Sequence, residues 1–341
     1  MTEFLTNYGL FLSKALTVVI AILVVAGAII AMSRKDRSGE RLEIKSLNEK
    51  YEQMRLAMQS QVLSKKEFKV FAKQAKSKKK ADKKHPGDDK KKNVYVIDFH
   101  GDLKASAVAN LREEITAVLT MADKKDEVVV RLENTGGVVH EHGLAASQLT
   151  RLREAKVPLT IIVDKVAASG GYMMACVADR ILAAPFAVLG SIGVLAQLPN
   201  FNELLTRHGI KFEQQTAGEY KRTVTMFGKN TEKERLKLKQ QIEETHELFK
   251  DFVAENRPKL NLRKVATGEY WYGKQALELG LVDELTTSDD YLLSSSEKAR
   301  LFEVKYTGKK TLSEKLMSSI STAIDKLHWS WREAAQKPPY M

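Results

Sequence analysis

The chain has one cysteine, Cys176, among 341 residues, so no intramolecular disulfide can form. The spacing around it matches no metal site. Its place inside the apolar run Tyr172–Val177 marks it as a small core residue rather than a nucleophile. Histidine is scarce as well, at seven residues, and no Ser-His-Asp spacing is recognisable. His85 sits in a lysine-rich run, His208 and His246 in helical patterns, and His328 near the end of the chain. His100, His140 and His142 follow strand or turn signals and read as polar surface or loop residues rather than bases. No Walker-type phosphate loop is present.

Only one apolar run reads as a membrane span. Leu10–Met32 is apolar apart from Ser13, Lys14 and Thr17 near its start. It is too long for the core of a signal peptide and lacks a basic segment before it, so the expectation is a retained anchor over residues 1–33. Arg34, Lys35, Arg37 and Arg41 follow, which by the positive-inside rule places the rest of the chain on the cytoplasmic side. A second run, Ile181–Leu198, contains Pro185 and two glycines and reads as core strands instead.

The net charge of +12 suggests nucleic acid until its location is read. Lysine dominates Ser64–Lys92, and that block accounts for the excess. A like-charge run repels itself, so it reads as a solvated linker rather than a nucleic-acid or lipid contact. Residues 34–92 are thus expected to be a charged stalk and linker, helical over about 40–75 and broken at His85-Pro86-Gly87-Asp88. At the other end, Thr311–Gln336 places Leu312, Leu316, Ile320, Ile324, Leu327 and Trp331 on one helical face. This C-terminal amphipathic helix, 311–341, suits either a neighbouring subunit or the membrane surface.

Residues 93–310 carry a different pattern. Strands at Val94–Phe99, Val128–Leu132 and Leu159–Asp164 alternate with helices at Ala105–Met121 and Gly143–Glu154, the mark of an α/β parallel sheet with crossover helices. Further strands are expected at Arg180–Ala184, Gly190–Leu195 and Lys211–Gln215. Thr231–Asn256 reads as a long charged helix, and Asn261–Gly280, with Trp271, as a smaller helical region.

Three glycine-containing junctions follow strands: Asn134-Thr135-Gly136-Gly137, Ala168-Ser169-Gly170-Gly171 and Gly190-Ser191-Ile192-Gly193. In a parallel sheet such junctions gather at one edge, where ligands bind. An acyl-transfer site needs a nucleophile, a base and donors aimed at the developing oxyanion. Ser169 is the candidate nucleophile, Gly170 offers one N–H, and Gly136 or Gly137 the second. A lysine base would need its pKa lowered by roughly 3 units through desolvation. Lys221, within Tyr220–Phe227, has moderately apolar surroundings, and Lys165 lies closer to Ser169 in sequence. Physical reasoning alone leaves both open.

The segments VDKVAASGGYMMA, GSIGV and GEYKRT, in that order, resemble the signal peptide peptidase A family of Ser-Lys peptidases over roughly Asn93 to Leu285. The resemblance implies Ser169 as nucleophile, Lys221 as general base, and Ser191 as the residue orienting the lysine. Gly136, Gly137 and Gly170 would form the oxyanion hole. Family members commonly have proline before the glycine pair, where this chain has Thr135. The implied fold is a crotonase- and caseinolytic-protease-like α/β superhelix of strand–helix repeats behind one N-terminal transmembrane helix. The implied partners are an extended apolar peptide, membrane lipid around the anchor, and further copies in a ring-shaped homo-oligomer, with no nucleic acid, metal or cofactor. The implied location is the bacterial inner membrane. Those bacterial relatives leave a periplasmic catalytic domain open beside the cytoplasmic one. Two rivals share features of this pattern. A crotonase-like acyl-CoA enzyme is disfavoured by the anchor and by the serine in Ser-Gly-Gly, and a catalytically silent scaffold by the presence of both Ser169 and Lys221.

Overall fold

The structure is a computed structural model and describes residues 9–14, 16–20, 41–71, 73 and 91–308. In chain order the folded unit runs β1 (Arg41–Ser46), α1 (Leu47–Val62), β2 (Asn93–Gly101), α2 (Val108–Leu119), β3 (Glu127–Asn134), α3 (Val139–Glu154) and β4 (Leu159–Val163). It continues with β5 (Val166–Ala168), α4 (Gly170–Ala175), β6 (Arg180–Ala183), β7 (Val188–Gly190), α5 (Asn202–Arg207) and α6 (Glu232–Asn256). The last elements are α7 (Leu262–Val265), β8 (Tyr270–Tyr272), α8 (Gly273–Glu278), β9 (Glu284–Leu285), α9 (Ser288–Ser295) and β10 (Arg300–Thr307).

The strands form one ten-stranded sheet ordered β1-β10-β2-β3-β4-β6-β9, with β5, β7 and β8 branching from β3. The valine- and isoleucine-rich strands β2, β3 and β4 are parallel neighbours, joined by crossovers through α2 and α3. Buried on both faces, they carry near-continuous apolar runs rather than simple alternation. Side chains of period two then feed two cores. Ile97, Phe99, Val130, Leu132 and Ile161 meet α2 and α3, while Val96, Val129, Ile162 and Leu301 meet Leu47 of α1 and Leu292 of α9. Truncating any of the fully buried leucines or isoleucines to alanine would cost about 2–5 kcal/mol.

Several elements depart from the expected pattern. The helix expected over about 40–75 starts only at Leu47, because residues 41–46 are a strand beside β10. Asn48 then ties α1 down: its amide donates to the carbonyls of Ser296 and Ala299, and its Oδ1 accepts from Leu301 N. Trp271 stands in a strand, β8, that runs antiparallel to β7, not in a helix. Neither the strand expected at 190–195 nor that at 211–215 forms: β7 ends at Gly190, where the first was expected to begin. The long helix expected over Thr231–Asn256 does form, as α6 capped at Thr231. Thr231 and Glu234 form a reciprocal capping box, the side chain of each accepting the other's backbone N–H.

Among the described residues no helix is long and apolar enough to cross a membrane. Residues 1–8, 15 and 21–33 of the expected anchor, residues 72 and 74–90 of the expected linker, and all of the expected helix Thr311–Gln336 lie outside the described residues.

Candidate active site

The three glycine junctions converge for a topological reason. Strand β5 lies between β3 and β7, parallel to both, with Ala167 opposite Asn134 and Ala168 opposite Gly190. All three strands therefore discharge their chains at the same edge, with Ser169 in the middle.

Ser169 joins β5 to α4 and is held at φ 53, ψ −120, a conformation that costs a side-chain-bearing residue on the order of 1–3 kcal/mol. Two backbone hydrogen bonds clamp it. Its N–H donates to Gly190 O at 2.8 Å, and its carbonyl accepts from Met173 N at 3.0 Å. Gly136, at φ +86, lies directly alongside, where a Cβ would stand 2.7 Å from Ser169 Cβ and 2.8 Å from Gly170 N. Only glycine fits such an approach.

The amides here are not equivalent. Gly136 N–H donates to Asn134 Oδ1 at 2.8 Å. Gly137 N and Gly170 N have no hydrogen-bond acceptor among the described residues. Of the two glycines in the turn, Gly137 is thus the one whose N–H is free for an oxyanion, together with Gly170.

A cavity of about 510 Å³ opens beside these amides, lined by Leu103, Val139, Met173, Leu195 and Phe249 as well as Gly137 and Gly170. Leu103 and Leu195 are 71% and 75% exposed, so they present apolar surface to whatever enters. Such a cleft suits an apolar chain segment rather than a charged ligand.

The two candidate lysines lie apart. Lys165 Nζ is paired with Glu133 at 3.0 Å and lines a separate cavity of about 320 Å³ with Asp98, Arg131 and Asp164. Lys221 sits in the irregular stretch after α5 and lines a third cavity, of about 710 Å³, with Leu198, Phe212, Met226 and Phe227. Neither lysine hydrogen-bonds Ser169 among the described residues. Ser191, also at positive φ (50), directs its Oγ at Gly268 O, 3.4 Å away, rather than at a lysine. The site therefore brings Ser169, Gly136, Gly137 and Gly170 together, and leaves Ser191 and Lys221 outside the contact set.

Cys176 is fully buried in the core, as its run suggested, and burial pushes its thiol up to about 12. His142, by contrast, is no surface or loop residue. It is on α3, fully buried, with Nε2 3.2 Å from Asn134 Oδ1 and Nδ1 3.0 Å from Val138 O. In the sequence Asn134 was only the start of a glycine junction and His142 only one of the histidines set aside as bases. The available signal was spacing: position 142 shares the buried face of Ala145, Ala146, Leu149 and Leu152.

A strained serine beside two unengaged amides and an apolar cleft is a geometry for acyl transfer. The family comparisons agree in class. Residues 3–149 match the model for the N-terminal region of peptidase family S49, and residues 151–301 match that for peptidase family S49 itself. The chain belongs to this family and is a peptidase of the serine type. "Probable protease SohB" of Haemophilus influenzae is 49% identical over 349 residues, covering 96% of each chain. The "Probable protease SohB" of Buchnera aphidicola from Schizaphis graminum is 46% identical over 321 residues, covering 93% of this chain and 94% of the relative. A solved structure of a mutant of 1510-N, a membrane-bound stomatin-specific protease, in complex with a substrate peptide has 14% identity and a TM-score of 0.41, over 68% of this chain and 99% of that one.

Proposed function

We propose that Ser169 is the nucleophile and Lys221 the general base of an endopeptidase that cleaves extended apolar peptides, such as signal-peptide remnants or membrane-protein fragments. The observation that carries this reading is the strained Ser169 turn, flanked by the free N–H groups of Gly137 and Gly170. Ser169 Oγ attacks the scissile carbonyl carbon while its proton passes to the lysine amine. The carbonyl oxygen becomes the oxyanion facing the two amides. Collapse breaks the C–N bond, the lysine returns the proton to the departing amine, and water then hydrolyses the acyl-serine ester. Loss of one such amide donor typically costs about 3 kcal/mol in the barrier.

Within one chain Lys221 has no contact with Ser169, so the dyad requires either that the stretch around Lys221 moves or that another copy supplies the lysine. Ser191, in the turn adjoining Ser169, would orient the incoming amine. A ring-shaped homo-oligomer, anchored in the bacterial inner membrane through the apolar segment Leu10–Met32, accommodates the second arrangement.

The test is cleavage of an unstructured apolar peptide in detergent. Ser169→Ala and Lys221→Ala should each lose at least about 10³-fold in rate, as removal of a nucleophile or its base does. Wild-type-like activity in Lys221→Ala would sink the dyad. Co-expressing the two inactive variants distinguishes the arrangements: partial recovery means that a lysine serves a neighbour's serine, and none means that it serves its own.

A further inference from the structure

Asn134 closes β3, and His142 is the fourth residue of α3, in the crossover that follows. Both are buried, at 1% and 0% exposure, and both polar side chains point at the backbone of the site rather than at solvent. Asn134 Oδ1 is the shared centre, accepting from Gly136 N at 2.8 Å and lying 3.2 Å from His142 Nε2. Its Nδ2 reaches Met174 Sδ at 3.3 Å on α4. The Asn134 backbone carbonyl abuts Gly171, where a Cβ would stand 2.2 Å from it. The His142 ring lies against Gly170, where a Cβ would stand 2.4 Å from His142 Cγ.

These contacts reach both halves of the oxyanion site at once. Gly136 has the widest conformational freedom of any residue, so nothing intrinsic holds it at φ +86. Its hydrogen bond to Asn134 Oδ1 anchors the Thr135–Gly136 peptide plane, the Val138 N–H bond to Leu103 O anchors the Gly137–Val138 plane, and the Gly137 N–H is set between these two fixed planes. His142 packs beneath Gly170, the second donor, and Asn134 beneath the adjoining Gly171. Neither residue touches the cavity where a substrate would lie.

We propose that Asn134 and His142 are positioning residues that set the oxyanion hole, drawing the Gly136 N–H inward so that Gly137 and Gly170 supply the two donors. This rests on Ser169 being the nucleophile. Both ring nitrogens of His142 face oxygen acceptors, and we assign the ring proton to Nε2; a glutamine at 142 places its amide there and can still donate to Asn134 Oδ1, whereas leucine fills the space without a donor.

The test measures kcat and KM for the apolar peptide with the full chain in detergent, alongside thermal melting. His142→Leu should lower kcat by about 10- to 100-fold, short of outright loss of a donor, with KM within about twofold, because the lost interaction is made only in the transition state. His142→Gln should recover most of the rate. Equal losses in the two variants, or a loss in KM alone, would overturn the proposal. If His142→Leu does not fold, His142→Asn takes its place: its amide is too short to reach Asn134 Oδ1, so wild-type kcat there also overturns it. Ser169→Ala separates the two readings. Full activity in that variant removes the nucleophile and this inference together, while an inactive Ser169→Ala beside a wild-type-like His142→Leu removes the inference alone.

Discussion

At the scale of single residues, the site is built from backbone conformations that side chains resist. Ser169 is the clearest case, holding positive φ in spite of its Cβ. Replacing it with glycine releases that strain, whereas alanine keeps it. Ser169→Gly should therefore be as inactive as Ser169→Ala yet melt about 2–4 °C higher, the shift expected for about 1 kcal/mol in a chain of this size. Identical melting temperatures would mean that the turn stores no strain. The Ser-Gly-Gly turn was legible in the sequence as a junction after a strand, but its dihedral angles were not, since they come from clamping by Gly190 and Met173. Lys221 was one of two lysines that physical reasoning left open and Ser191 stood in a glycine junction; only resemblance to a family gave them their roles. Their separation from Ser169 reflects a stretch, 191–231, with little regular structure of its own beyond α5.

At the scale of elements, strongly patterned segments were readable and short ones were not. β2 to β4 announce themselves through runs of valine and isoleucine, and α6 through its long charged helical stretch. β1 and β8 hide, because each is brief and partly exposed, and its pairing is with a strand rather than with a local pattern. Helix α2 carries a buried acid that no periodicity foretells. Glu114, 5% exposed, accepts from Tyr306 N of β10, and burial pushes its carboxyl up to about 7. Between about pH 4.5 and pH 7 the unfolded chain loses this proton before the folded one does, so stability falls as pH rises through that window. Glu114→Gln keeps an acceptor for Tyr306 and removes the titration. It should match the wild type in melting temperature near pH 4 and exceed it by at least about 3 °C at pH 8. A difference that does not change with pH would refute the assignment.

At the scale of the whole molecule, residues 42–306 make up one compact, sheet-based unit, and the lysine-rich block Ser64–Lys92 falls within that stretch of sequence. The unit's sheet was foreseen as parallel α/β, but its breadth was not, because the outermost strands are contributed by residues near the two ends of the unit. The proposed anchor makes a plain prediction. The full-length protein should pellet with membranes and resist extraction at high pH, and release by alkaline carbonate would count against a spanning helix. Protease added to intact spheroplasts would degrade the catalytic unit if it faces the periplasm and spare it if it faces the cytoplasm.

The position of β10 between β1 and β2 has a consequence for biosynthesis. β1 ends at Ser46 and its neighbour begins at Arg300, so the ribosome must add about 250 residues before the pair can close. At roughly 5–20 residues per second that delay is on the order of 10–50 s. Throughout it, β2 also offers an open edge on the side that β10 will occupy, and such edges invite pairing between chains. The alternation of charge in Arg41, Glu43 and Lys45 gives the waiting β1 a soluble face. Expression fast enough to let many such open edges meet should therefore yield aggregates rather than slow folders.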